Sequence, residues 1–196
     1  LSTKIYLVKN FLILSLTSFV FSTVLWVLWH FLDSHVLFLA GKGGLFYLPH
    51  AARVLCIVYF GYKAIPALYL GELVGPYVLE AGLYSFSTLI PSLISVMSVP
   101  FALIFLNILG FTLGETRSSP LNRRNYKHIF LITFISASFN ALVVNLYMSR
   151  NNLSFPNAMT DIEQVYRFFV GDLFGTIIVF IFLAMLLIPV LRQARS

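Results

Sequence analysis

The chain has 196 residues, 59% of them hydrophobic and only 10% charged, with a mean hydropathy of +0.90. Soluble domains carry about 25% charged residues, so a soluble globular fold is excluded. An all-α, polytopic transmembrane helix bundle is expected, as a single integral membrane domain over residues 1–196. The net charge of +6 is no sign of a nucleic-acid partner, because the basic residues fall in short loops between apolar runs, the distribution that sets membrane topology.

Lys4 and Lys9 precede an apolar run over 11–31. The run is longer than a signal-peptide h-region and lacks a small-x-small cleavage site. At ~1.5 Å per residue it crosses a ~30 Å hydrocarbon core, so it is read as a retained first span. Ser15, Ser18 and Ser22 share one of its faces, as a close helix contact requires. Trp26, Trp29 and His30 are read as an interfacial belt at its far end. The following loop, 33–44, ends in Gly41-Lys42-Gly43-Gly44, which lacks phosphate-loop spacing and is read as a turn.

Spans two (45–61) and three (64–80) are expected to form a hairpin, turning at Gly61-Tyr62-Lys63 with Pro66 just inside the second limb. Cys56 is the one cysteine; it excludes an internal disulfide or a Cys-based metal site and reads as a buried, inert thiol. The fourth span lies within 83–113, where Pro91 and Pro100 are expected to kink the helix or set off an interfacial piece. Ser85, Thr88, Ser92 and Ser95 make a small polar stripe along it. A basic loop over 114–127 leads to a fifth span at about 128–147, with Thr133, Ser136 and Asn140 on one face. The polar segment 149–167 runs into DIEQVYRFF (161–169), read as an amphipathic piece lying on the membrane surface. The sixth span covers about 168–190.

About six spans, within a range of six to eight, put both termini on one side. With that side cytoplasmic, nine basic residues lie inside (Lys4, Lys9, Lys63, Arg117, Arg123, Arg124, Lys127, Arg192, Arg195), against Lys42, Arg150 and Arg167 outside. The asymmetry favours an N-in, C-in arrangement in a cell inner membrane. Asn152-Leu153-Ser154 is formally a glycosylation sequon on the outer side.

Four ionisable residues remain at membrane depth: His50, Arg53, Glu72 and Asp172. A charge there costs roughly 2.5–3.5 kcal/mol even on lenient scales, so it persists when paired or wetted. His50 and Arg53, three residues apart, share a helix face. The four can form a polar pocket that either fixes helix register as an ion-pair network or holds a ligand or proton. No Ser-His-Asp spacing, H-E-x-x-H or nucleotide fingerprint is present. No enzymatic activity, cofactor or metal is therefore expected. Gly71-Glu72-Leu73-Val74-Gly75 and Gly171-Asp172-Leu173-Phe174-Gly175 are alike: both are helix-packing small-xxx-small motifs with an acid after the first glycine. Lying in spans three and six, they are compatible with an inverted three-span repeat of the kind found in transporters. Spans two and five do not match, because Asn140 and Asn145 stand where a charged pair would.

The hairpin resembles the membrane-associated sensor (MASE) domains of bacterial sensor kinases and diguanylate cyclases. The residues that carry the likeness are Leu48-Pro49, Gly61, Pro66 and Gly71, together with Gly171-Asp172-Leu173-Phe174-Gly175, which is similar to that family's glycine-aspartate-x-x-glycine signature. Arg53 is similar to the branch that forms the membrane half of sugar-phosphate sensor kinases. The chain departs from the family in having six spans where about eight are common, and in Glu72, which stands at an ordinarily uncharged place. The resemblance implies a sensory domain that binds a small, anionic ligand or a membrane partner and relays it to a cytoplasmic output module. No kinase or cyclase follows Ser196, so the output half is expected to be absent or supplied by another protein. The alternative is a small transporter, or the substrate-binding subunit of one, using the polar pocket. The lipid bilayer is a partner on either reading, and the small-residue faces also suit a homo-oligomer.

Overall fold

The computed structural model describes residues 2–36, 46–79, 88–111, 126–151 and 161–193. Six α-helices make up nearly all of them: α1 (Ser2–Phe31), α2 (Pro49–Phe60), α3 (Ile65–Leu79), α4 (Leu89–Ile108), α5 (Tyr126–Arg150) and α6 (Asp161–Gln193). A π-helical turn, Leu32–Val36, follows α1, and a 3-10 turn, Gly61–Ala64, joins α2 to α3. There is no strand among the described residues. The Gly41–Gly44 turn, Ser85, Arg117, Arg123, Arg124 and the Asn152-Leu153-Ser154 sequon lie outside them.

Local chemistry sets the helix ends. Pro49 opens α2, in the first turn where a missing N–H leaves no bond unmade. Gly61 ends it at φ 73°, a conformation without penalty only for glycine. α4 closes in a Schellman arrangement: Phe111 N–H donates to Leu106 O and Gly110 N–H to Asn107 O, at 3.0 and 3.1 Å, with Gly110 at φ 85°. Pro91 sits in the first turn of α4 and Pro100 lies inside it, and the helix runs through both. The amphipathic piece expected on the membrane surface is instead the first turns of α6, a single helix from Asp161. Its exposed Glu163 and half-buried Arg167 pair one turn apart at 2.9 Å, the spacing a continuous helix provides.

The helices form a ring around α2. α1 packs on α3, α3 on α4, α4 on α5 and α5 on α6, while α2 touches all five. α6 and α1 make no extended contact among the described residues. The seam between them is filled by the segment entering α2: Tyr47 meets Trp29 of α1, and Phe46 meets Phe174 of α6. Every α2 residue from Pro49 to Val58 is buried. The outer faces are apolar, with Leu12, Leu16, Val20 and Val24 on α1, Leu142 and Leu146 on α5, and Ile181, Phe182 and Met185 on α6 exposed. Polar residues inside and apolar stripes outside are the reverse of a soluble bundle and suit a lipid surround.

Five segments are long and apolar enough to cross a membrane: Lys9–Ser34, Pro49–Gly75, Leu89–Ile108, Tyr126–Arg150 and Ile162–Leu186. The second comprises α2, the turn and most of α3, and the chain reverses within it. Tyr47 lies against Trp29, and Cys56 lies within hydrogen-bonding reach of Ser18, so α2 runs antiparallel to α1. Gly71 faces Ser22 and Gly75 faces Trp26, so α3 runs parallel to it. The two limbs have 12 and 15 helical residues, each short of the roughly 20 that a full crossing takes. Trp26 is only 5% exposed, packed against Gly75 rather than standing in an interfacial belt.

Candidate functional site

Two polar nodes hang on one face of α2, a turn apart. The first is built on Arg53, which is 1% exposed. Its Nη2 lies 2.7 Å from Glu72 Oε1 of α3, and its Nε donates to the same oxygen at 3.1 Å. Nη2 also donates to the Tyr47 hydroxyl at 3.2 Å, and that hydroxyl donates to Glu72 Oε2 at 3.0 Å. The guanidinium carbon lies 5.2 Å from the Tyr47 ring centroid, within cation–π range. Arg53, Glu72 and Tyr47 thus close a ring of charge-assisted bonds, and only Arg53 Nη1 has no partner.

The second node is built on His50, which is fully buried. Its Nε2 lies 3.0 Å from Ser136 Oγ of α5, and its Nδ1 lies 3.5 Å from Asp172 Oδ2 of α6, too far for a made hydrogen bond. Asn140 Nδ2 donates to the same Asp172 oxygen at 2.5 Å, and Ser95 of α4 donates to Asn140 Oδ1 at 2.7 Å. Polar bonds therefore run from α4 through α5 to α6, and His50 brings α2 into contact with that chain.

Ser136, His50 and Asp172 stand in the order of a hydroxyl–imidazole–carboxylate relay, which their sequence spacing does not announce. The arrangement is a poor hydrolase. Ser136 is fully buried in mid-helix, where the neighbouring N–H groups are consumed by the helix ladder and cannot stabilise an oxyanion. No group of three or more His, Cys, Asp or Glu able to hold a metal occurs among the described residues.

The structure thus separates the four ionisable groups into two pairs, Arg53 with Glu72 and His50 with Asp172. The four glycines serve as close-approach points. A Cβ at Gly71 would meet Ser22 at 3.0 Å, and one at Gly75 would meet the Trp26 ring at 2.6 Å. Gly171 accepts the Tyr47 N–H at 2.8 Å, and a Cβ at Gly175 would fall on the Tyr47 backbone. The inverted repeat finds no counterpart in the packing. α1 and α3 lie together whereas α4 and α6 do not, and α5 and α6 pack closely whereas α2 and α3 meet only lightly.

Tyr47 was not among the residues singled out from the sequence, although Tyr47, His50 and Arg53 recur at three-residue spacing. Ser95, Ser136 and Asn140 stood out only as small polar stripes, with nothing local to show that Asn140 and Ser95 converge on Asp172. Compared with protein-family models, with curated proteins and with solved structures, the chain finds no match.

Proposed function

We propose that this chain is a multi-pass inner-membrane domain that receives a signal, as a small ligand or a membrane partner, and relays it by repacking the helices around α2 to a cytoplasmic output module. One observation carries the reading: α2 is bonded to α3 through Arg53–Glu72 and to α5 through His50–Ser136, with Asp172 of α6 facing His50 at 3.5 Å, so the two pairings together bear on three surrounding helices. A ligand shifts such an equilibrium only by binding one arrangement better than another. An anion competing with Glu72 for Arg53 has that property, and Arg53 Nη1 is an unused donor. The resemblance of the hairpin and of the Gly171–Gly175 stretch to MASE sensor domains points the same way.

In the native assembly, Arg53→Gln is expected to abolish the response while leaving abundance near normal, because Glu72 can be neutralised by a proton and keep its bond to Tyr47. An unchanged response at normal abundance would remove the cluster from the mechanism. Solute uptake by the purified chain in liposomes would replace the receptor with the small transporter.

The receptor reading includes a six-span, N-in and C-in topology, motivated by the basic asymmetry. In a Cys56→Ala background, N151C is expected to react with an impermeant thiol reagent in intact cells and S118C to remain protected. The opposite pattern would invert the topology.

A further inference from the structure

We propose that His50 and Asp172 together form a proton-binding site inside the membrane, holding one exchangeable proton between Nδ1 and Oδ2. The inference stands on charge count and bond geometry, and it does not depend on the receptor reading. The buried cluster contains one obligatory cation, Arg53, against two carboxylates, Glu72 and Asp172. Glu72 spends its charge on Arg53: Oε1 takes both guanidinium bonds and Oε2 takes the Tyr47 hydroxyl. Asp172, 1% exposed, is left with a neutral amide donor, Asn140, and an imidazole nitrogen with no bond. A net negative charge in a low-dielectric interior is costly unless a cation or a proton compensates it.

The hydrogen bonds around His50 point to the same place. Ser136 Oγ donates to Thr133 O at 3.1 Å, so the hydroxyl accepts from His50 Nε2–H at 3.0 Å. A neutral imidazole then has no hydrogen left on Nδ1, and a lone pair faces the carboxylate across 3.5 Å. Reversing the tautomer supplies Nδ1–H but forfeits the bond from Ser136 to Thr133. One added proton satisfies every group at once: Nδ1–H to Asp172, Nε2–H to Ser136, and Ser136 O–H to the Thr133 carbonyl. The proton comes from hydronium in the surrounding water: one O–H bond breaks as the N–H bond forms, a neutral water is left, and nothing is oxidised. The charged groups facing the pair are Arg53 on α2, which opposes the proton, and Glu72 on α3, which favours it. Tyr47 adds a titratable hydroxyl at the entry to α2. From α4 and α5 the cluster receives only the neutral Ser95, Thr133, Ser136 and Asn140.

The test uses the full chain in lipid nanodiscs. H30Q/H35Q/H128Q leaves His50 as the single histidine and changes none of the cluster residues, so ring-15N labelling reports on His50 alone. With D33N/D161N added, Asp172 is the single aspartate, and infrared spectra with 13C-carboxyl aspartate report its protonation. Near neutral pH, either an imidazolium or shared-proton signal or a buried aspartic acid band is expected. Release of one proton equivalent should follow as pH rises. In H50Q the aspartic acid band should persist, because Asp172 keeps the proton alone; in D172N, His50 should turn neutral and the proton equivalent should vanish. A neutral His50 with an ionised Asp172 in this single-histidine, single-aspartate background overturns the site, and that measurement stands even where D172N or H50Q fails to fold. A shared-proton signal unchanged in a folded D172N protein would overturn it as well.

Discussion

Glu72→Gln is expected to lower the stability of the folded bundle by about 3–5 kcal/mol, the range found when one partner of a buried ion pair is removed. Arg53 cannot shed its charge, is 1% exposed, and donates its two shortest bonds to Glu72 Oε1. A glutamine returns at most one neutral acceptor to a guanidinium that already has an unpartnered nitrogen. Arg53→Leu in the same chain should recover much of the loss, because the uncompensated charge disappears along with its partner. Thermal unfolding in mild detergent of wild type, E72Q, R53L and the double variant measures the coupling. Strictly additive effects would mean that the two residues do not interact.

Gly175→Ala is expected to cost about 3 kcal/mol, the upper end of the usual overpacking range, although it adds only one methyl group. The new Cβ would land on the N, C and O atoms of Tyr47. Backbone cannot swing aside as a side chain can. To make room, the segment entering α2 must lift off α6, which strains the bond from Tyr47 N–H to Gly171 O and unseats the Tyr47 hydroxyl from Arg53 and Glu72. Gly71→Ala is the control. There the Cβ would meet the Cβ and Oγ of Ser22 at 3.0 Å, a side-chain contact that a small shift of α1 relieves. A larger loss of melting temperature for Gly71→Ala than for Gly175→Ala would contradict this account of the seam.

The sequence made the membrane class legible because hydropathy sums over whole helices, and it located the hairpin because Gly61 and the two flanking prolines are local signals. His50, Arg53, Glu72 and Asp172 were visible as ionisable groups in apolar runs. Their division into pairs was not, since one arginine has two acids to choose from and the choice depends on how α3 and α6 sit about α2. Tyr47 escaped notice for a related reason. A tyrosine near a span end reads equally well as an interfacial ring, and only the docking of its backbone on Gly171 turns its hydroxyl toward Arg53. The DIEQVYRFF stretch proved to be part of one long helix, α6, which its residues did not reveal, because an amphipathic pattern is the same whether a helix stands alone or continues into the next.

The shortness and complete enclosure of α2 bear on how the protein is made. Twelve helical residues span only about 18 Å, and this stretch carries a histidine and an arginine where an inserting helix gains most from leucine and valine. Left alone in lipid, α2 would have neither the length nor the hydropathy to stay. Its bilayer is in effect protein, supplied by α1 and α3 on one side and by α4, α5 and α6 on the other. Biogenesis therefore has an order: α1 and α3 must shelter α2 as it leaves the ribosome, and Asp172, more than a hundred residues behind His50, must arrive before His50 meets its acid partner. Nascent chains arrested before α6 should remain open to alkali extraction or quality-control proteolysis, and chains that include it should not.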